Sequence, residues 1–336
     1  MSSVDLSIII VNYHSADYVV KCLQSIREQT KDLKYEVIVV DNASYDGCRE
    51  RLARDFPKVR YVQSDYNLGF GRANNLGVRH ATGAVLLFLN PDTELKDRAV
   101  DRLYEQFCRL YRPGAVGCRL LNSDGSFQTS CVQSFPTILN QVLDAGALQR
   151  HFPKSGLWGS SALFAGDGMT AEVEMVSGAC LMIRRDVFDR IGNFSPEYFM
   201  YGEDVDLCFK TRQAGLRNYY VADSVIVHHG GGSTNHSLSN FTSVMMREAI
   251  HLFLRKSRGG LYAAFYRVGL IKAAVARLAI LTVARPFLIA RGKKGVWSAA
   301  VRKWLAILRW GVGLEHWVRH YDHPRSSGIA DITDET

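Results

Sequence analysis

A chain of 336 residues, 47% hydrophobic and 22% charged, has the material for one large or two ordinary domains, which excludes a disordered or low-complexity polypeptide. Seven scattered cysteines, none in a CxxC or other metal-ligand spacing, read as reduced thiols of a cytosolic protein rather than a disulfide framework. Net charge is +8, yet residues 244–320 hold fifteen Lys or Arg against Glu248 and Glu315, a balance of +13 that leaves −5 elsewhere; such a segment suits nucleic acid or an anionic membrane surface.

Met1-Ser2-Ser3-Val4-Asp5 lacks the basic start of a secretion signal. Residues 6–11 form a continuous apolar run that stops at Asn12-Tyr13-His14-Ser15. Unbroken rather than alternating hydrophobicity predicts a strand buried on both faces. Tyr18, Val19, Cys22, Leu23 and Ile26 then recur at helical spacing. Residues 35–40 repeat the buried-strand pattern and stop at Asp41-Asn42-Ala43-Ser44; residues 59–62 read as a short third strand. Residues 74–80 are helical in pattern, 84–89 form a fourth strand stopping at Asn90-Pro91-Asp92-Thr93, and 98–110 are helical again.

This alternation predicts an α/β fold with an open, mostly parallel sheet and helices on both faces. Ligands of such sheets bind beyond the carboxyl ends of the strands. Polar residues at strand ends are also ordinary turn and cap residues, but three such clusters on one edge favour a site.

From Cys118 the pattern changes. Asp124-Gly125 within residues 120–127 predicts a hairpin. Residues 136–170, with Gly156, Gly159 and Gly166, read as a mobile loop with short helices. Residues 173–176 and 179–183 read as strands around Ser177-Gly178, Val187 and Phe188 open a short helix, and 225–227 form a last strand ending in His228-His229-Gly230. In Tyr201-Gly202-Glu203-Asp204-Val205-Asp206-Leu207, three carboxylates stand at the start of a helix pattern. Carboxylates there offset the helix dipole and cap free N–H groups. They also project into whatever pocket lies above the helix, and Asp206 reads as structural.

Asp92 lies just past a buried strand, where a carboxylate suits a hard divalent cation with phosphate company. His228, at the end of a later strand, completes that shell, and mixed His and carboxylate ligation accepts Mg2+ or Mn2+. Asn67-Leu68-Gly69-Phe70-Gly71-Arg72-Ala73-Asn74 is not the dinucleotide fingerprint, because Asn74 stands where the third glycine belongs and the stretch follows a third strand. Its glycines either let backbone approach a phosphate, with Arg72 pairing to it, or simply take positive φ.

Together these segments resemble glycosyltransferase family 2 with the GT-A fold: residues 7–15, 37–44, 67–77, 86–95, 120–130, 176–217 and 225–234, in the family's order. The nearest look is to bacterial dTDP-rhamnose rhamnosyltransferases of cell-envelope polysaccharide assembly. The resemblance implies a Rossmann-like catalytic domain and single-displacement, inverting transfer of a sugar to a lipid-linked (polyprenyl diphosphate) saccharide acceptor. It implies that Val11, Asn12 and Tyr13 border the nucleoside, that Asp41 hydrogen-bonds the base with Asn42 and Ser44 nearby, and that Asn67, Gly69 and Asn74 line the nucleotide pocket. Asn90-Pro91-Asp92 occupies the family's DxD position with Asn90 in place of the first carboxylate, so metal ligation falls on Asp92, assisted by His228. Asp204 matches the catalytic base, Glu203 its neighbour, and Ser177, Gly178 and Ala179 lie by the acceptor. Which of Glu203 and Asp204 takes the proton stays open.

Between 244 and 320 a charge interrupts the apolar residues every few positions, and no uncharged stretch reaches the ~18 residues of a spanning helix. Val301, Trp304, Leu305, Leu308 and Val312 share one helical face, the pattern of a helix lying in a membrane interface; between 267 and 291 the charges spread around the helix. The resulting division is a GT-A domain over 1–240 (donor half 1–117, acceptor half 118–240), a basic amphipathic helical membrane-association region over 241–320, and a disordered tail over 321–336. The expected setting is cytoplasmic, at the inner face of the cytoplasmic membrane. A UDP-sugar donor is the main alternative. A nucleotidyltransferase would carry a Gly-rich, basic loop after its first strand. A nucleic-acid binder would show an RNP-like or helix-turn-helix signature. A processive synthase would carry QxxRW, where this chain has Ala306 ahead of Arg309-Trp310.

Overall fold

The computed structural model describes residues 4–143, 170–230 and 240–321. In chain order, Leu6–Asn12 (β1), Ala16–Gln29 (α1), Tyr35–Asn42 (β2), Cys48–Asp55 (α2), Arg60–Ser64 (β3), Phe70–Val78 (α3) and Val85–Leu89 (β4) form the alternating half. All of β1 and β4 is buried, as their unbroken apolar runs demand. On α1, Val19, Cys22, Leu23 and Ile26 turn inward.

Thr93–Leu95 (β5), Ala99–Arg109 (α4), Pro113–Leu121 (β6), Val132–Gln133 (β7), Ile138–Leu143 (α5), Ala171–Val173 (β8), Met175–Val176 (β9), Cys180–Arg184 (β10), Arg185–Arg190 (α6), Glu203–Gln213 (α7) and Arg217–His228 (β11) follow. The main sheet runs β3-β2-β1-β4-β10-β6-β11-β5, with β8 also on β11. β1, β2, β3 and β4 are parallel, and β6 and β11 are parallel to each other; β10 is antiparallel between β4 and β6. The sheet is therefore mixed, but the ends of β1, β2, β4 and β11 still share an edge. In that register Asn12 stands beside Asp41, and His228 beside Thr93 through the antiparallel β5–β11 pair.

Several expectations need adjustment. β6 was not legible, because Pro113, Gly114 and Gly117 read as turn residues. Residues 173–176 are two strands, not one: β8 pairs with β11 and β9 with β7. The hairpin over 120–127 closes through one bridge, Leu121–Phe127, around Gly125 at φ +80°. Of the expected loop over 136–170, Ile138–Leu143 is helical and 144–169 lie outside the described residues, as does the tail beyond Tyr321.

Asn240–Arg258 (α8), Gly260–Ala290 (α9) and Lys294–Gly311 (α10) complete the chain. Although α8 lies past the expected boundary at 240, it packs on the sheet domain. Phe253 meets Phe135 and Phe209, and a Cβ on Gly202 would lie 3.0 Å from that of Ala249. α9 and α10 form an antiparallel hairpin in which Trp297 Nε1 donates to the Leu281 carbonyl and Arg267 donates to the carbonyls of Trp310 and Gly311.

Candidate active site

The end of the site expected to take a nucleotide is built on the tips of β1 and β2. Asn12 Nδ2 donates to Asp41 Oδ1 at 2.9 Å and to Asp46 Oδ1 at 3.0 Å, while Asn12 Oδ1 accepts from the Ser15 backbone and hydroxyl. Asp41 Oδ2 lies 3.0 Å from the Tyr61 hydroxyl. Val11 is buried behind this network, and the Tyr13 ring meets His14 edge-on. Ser44 Oγ accepts from the His14 N–H and donates to the Asn12 carbonyl. Asp46 was missed in the sequence, although it stands in the same turn as Asp41 and receives the Ala16 N–H that opens α1.

Asn42 reaches across to the glycine-rich loop: its Nδ2 donates to Asn67 Oδ1 at 2.8 Å and its Oδ1 accepts from Leu68 N–H. Gly69 has φ +75°, and a Cβ there would lie 2.0 Å from the Phe199 carbonyl oxygen, which accepts from Phe70 N–H. The glycine is thus needed for its backbone angle and for close approach to the segment before the acidic motif. Arg72 donates to the carbonyls of Pro196 and Tyr321, so the phosphate pairing considered for it gives way to a bracing role. Asn74 is buried in α3 with its amide on the Phe70 carbonyl.

At the end of β4, Asp92 and Asn90 meet His228. The imidazole Nε2 lies 3.2 Å from Asp92 Oδ1 and 3.2 Å from Asn90 Nδ2. Its Nδ1 donates to Gln128 Oε1 at 2.6 Å, and the Gln128 amide is oriented by giving its N–H to Asn122 Oδ1. Gln128 lies in the 120–130 segment that resembles the family, but nothing in its spacing marks it as a partner of His228. The set fits a divalent cation: an Nε2 lone pair and a carboxylate face each other, nearly buried, with the far ring nitrogen anchored as ligating histidines usually are. Among the described residues no group of three or more His, Cys, Asp or Glu side chains gathers, so donor diphosphate oxygens would supply the remaining ligands.

The acidic motif opens α7. Tyr201 and Gly202 both take positive φ, at 68° and 78°, turning the chain sharply into the helix. Asp204 Oδ1 accepts from Val205 N–H at 2.8 Å and Oδ2 from Gly178 N–H at 2.9 Å. One oxygen takes a free N–H of the first helical turn, and the other faces the Ser177-Gly178-Ala179 turn. The Ala179 carbonyl in turn accepts from Asn90 N–H. Asp204, Gly178, Ala179, Asn90, His228 and Asp92 thereby form one unbroken run of contacts.

Glu203 differs from its neighbour. It is buried, and its Oε2 has no hydrogen-bond partner among the described residues. Burial, and then the charge of Asp204, push its carboxyl up to about 8. Burial also raises Asp204, and the backbone N–H groups of Gly178 and Val205 offset only part of that rise. Asp206, expected to be structural, is buried under Ser195 Oγ at 2.5 Å with the ammonium groups of Lys210 at 3.3 Å and Lys256 at 3.1 Å.

Comparison with known proteins decides the family, because the profile of glycosyl transferase family 2 matches residues 7–192. The chain belongs to glycosyl transferase family 2. It is a glycosyltransferase. An N-acetylglucosaminyl-diphospho-decaprenol L-rhamnosyltransferase of Mycobacterium tuberculosis is 26% identical over 270 residues, covering 77% of this chain and 87% of that protein. Rhamnosyltransferase WbbL of Escherichia coli is 26% identical over 232 residues, 66% of this chain and 82% of that one. Among solved structures, the mannosyltransferase PcManGT of Pyrobaculum calidifontis, in complex with GDP-Man and Mn2+, aligns over 94% of this chain and 89% of its own with a TM-score of 0.55 at 18% identity. That likeness is one of fold: the family 2 chain has the GT-A architecture expected from its sequence.

Proposed function

We propose that this family 2 enzyme transfers L-rhamnose, from dTDP-rhamnose, to a hydroxyl of a polyprenyl-diphosphate-linked saccharide in cell-envelope polysaccharide assembly. The observation that carries the proposal is the run of contacts from Asp204 through Gly178 and Ala179 to Asn90, His228 and Asp92. The names of the two rhamnosyltransferase relatives support the choice of sugar, and that of the mycobacterial one a lipid-linked acceptor.

In this reading Asn12, Asp41, Asp46, Asn42 and Asn67 hold the nucleoside. The acceptor enters over Ser177, Gly178 and Ala179. Asp204 is the base: it takes the acceptor hydroxyl proton as that oxygen bonds to the anomeric carbon from the face opposite the diphosphate, whose bond to that carbon breaks. The carboxyl of Glu203, at about 8, is mostly protonated at neutral pH and is the poorer base. Inversion follows from one displacement, with no covalent nucleophile needed. Asp92 and His228 would hold Mg2+ or Mn2+; when bound, the cation offsets charge on the departing diphosphate. The enzyme works at the cytoplasmic face of the membrane, where a lipid-linked acceptor resides.

The test is label transfer from a panel of nucleotide sugars to membrane extracts, with and without EDTA. Transfer from dTDP-rhamnose that EDTA abolishes is expected. Use of a UDP-sugar alone would refute the rhamnosyl assignment. Asp204→Asn should bind donor normally and lose transfer by roughly 10²- to 10⁴-fold, the usual worth of a positioned base; lost donor binding would move Asp204 to a structural role.

A further inference from the structure

α9 is 31 residues long, and its most apolar 18-residue window has a mean hydropathy of 1.7 with 6% of it buried. By length and composition it could cross a membrane, yet the fold argues otherwise. Ala263, Tyr266, Leu270 and Ala274 pack into the protein. The residues beyond Ala274 rise about 24 Å at 1.5 Å each, short of the roughly 30 Å hydrocarbon core. The chain then turns at Arg291, Lys293 and Lys294 and comes back as α10, so both ends of the hairpin stay on one side, and a charged tip bars end-on entry.

The opposite face of α9 is exposed along its whole length. Leu261 (73% exposed), Phe265, Val268, Val275, Val283 (81% exposed) and Phe287 follow one another at near-whole-turn spacings. Lys272 is the one charged residue on that face. The sequence had suggested charges spread around this helix, but three of them fold back toward α10. Arg267 lies 5.0 Å from the Trp310 ring centre, Arg277 4.3 Å from Trp304 and Arg285 5.3 Å from Trp297. The stripe expected on α10 is divided by the same packing: Trp304 is buried against α9 while Leu305 and Val312 face outward.

We propose that the outward face of α9 is the membrane seat of this protein, lying flat in the interface of an anionic bilayer. Apolar side chains enter the acyl boundary, and the Arg–Trp pairs behind them sit at headgroup level. Charge complementarity selects this occupant, because no acidic residue occurs between Glu248 and Glu315. The inference rests on the membrane-surface setting proposed above and identifies the surface that provides it.

The test is cosedimentation of the full-length protein, without donor, with phosphatidylglycerol–phosphatidylcholine vesicles and with phosphatidylcholine vesicles. The wild type should prefer the anionic vesicles. Phe265→Glu combined with Val283→Glu should weaken binding at least tenfold, while Leu305→Glu combined with Val312→Glu stays within about twofold. Equal loss in both pairs, or none in the first, overturns the proposal; so does a wild-type dimer that the first pair dissociates, because a second copy would then cover the face. Should the first pair misfold, a nitroxide on Val283→Cys in a Cys108→Ser background reads the same point. It should become accessible to oxygen and shielded from a polar nickel chelate on vesicles, and polar accessibility there overturns the seat. Vesicle binding through α9 without rhamnosyl transfer would sink only the substrate assignment.

Discussion

Gln128 accepts the Nδ1 proton of His228 at 2.6 Å, and in doing so decides what the other imidazole nitrogen can be. With Nδ1 protonated, Nε2 keeps its lone pair toward Asp92, the form a cation needs. Gln128→Leu leaves both candidate ligands in place but frees the ring to rotate and change tautomer. Affinity for Mn2+ in the presence of a nucleoside diphosphate should fall roughly 10- to 100-fold, read by the loss of free-Mn2+ signal in an electron paramagnetic resonance titration. Unchanged affinity would show that the histidine is held without Gln128.

Burial raises both adjacent carboxyls of α7, and Glu203 the further. Glu203 titrates near 8 when folded, against an ordinary 4.5. Between those values the folded chain keeps a proton that the unfolded chain releases, so this group makes stability fall as pH rises through that window. Glu203→Gln removes the titration. Its melting temperature should exceed that of the wild type at pH 8.5, with the gap closing toward pH 5. A gap that is constant or widest at low pH would contradict the buried, protonated carboxyl.

Asp206 ties α7 to α8 through Lys256 and pairs with Lys210 one turn on along its own helix, with Ser195 and Tyr198 completing its shell. Asp206→Ala removes the buried carboxylate that both ammonium groups share, while Lys256 keeps Glu197 and Lys210 keeps the Asn193 carbonyl. Losing charge-assisted hydrogen bonds costs about 1.5–3 kcal/mol, and urea denaturation should show a loss of that size with donor affinity preserved in the remaining folded protein. A loss below about 1 kcal/mol would place the lysines in solvent-compensated positions.

The parts legible from sequence were those set by local pattern. Unbroken apolar runs marked β1, β2 and β4, and their polar ends marked Asn12, Asp41 and Asp92. β6 hid behind Pro113 and its glycines, because its place is fixed by β10 and β11, which lie far along the chain. Gln128 hid for the same reason: it is a positioning group only because a residue 100 positions away stands beside it. On α9, helical spacing alone scattered the arginines, and only the tryptophans of α10 show where they go. Asp204 matched the base and Glu203 its neighbour, with the choice between them open; in the structure Glu203 Oε2 has no hydrogen-bond partner among the described residues, whereas Asp204 accepts from the Gly178 N–H.

Gly69 tests the coupling between the glycine-rich loop and the acidic motif. It combines a left-handed backbone with a position where a Cβ would sit 2.0 Å from the Phe199 carbonyl oxygen. Gly69→Ala therefore strains φ, at a cost of about 1–3 kcal/mol, and must in addition either shift its own loop or push the 198–202 turn away from α3. The second route carries Gly202 and the start of α7 with it, and Asp204 would move off Gly178. Thermal denaturation should show a loss of several degrees, and turnover should fall further than the donor affinity does. Lost donor affinity with turnover per bound donor unchanged would mean that the loop serves the nucleotide alone, with no mechanical hold on the base.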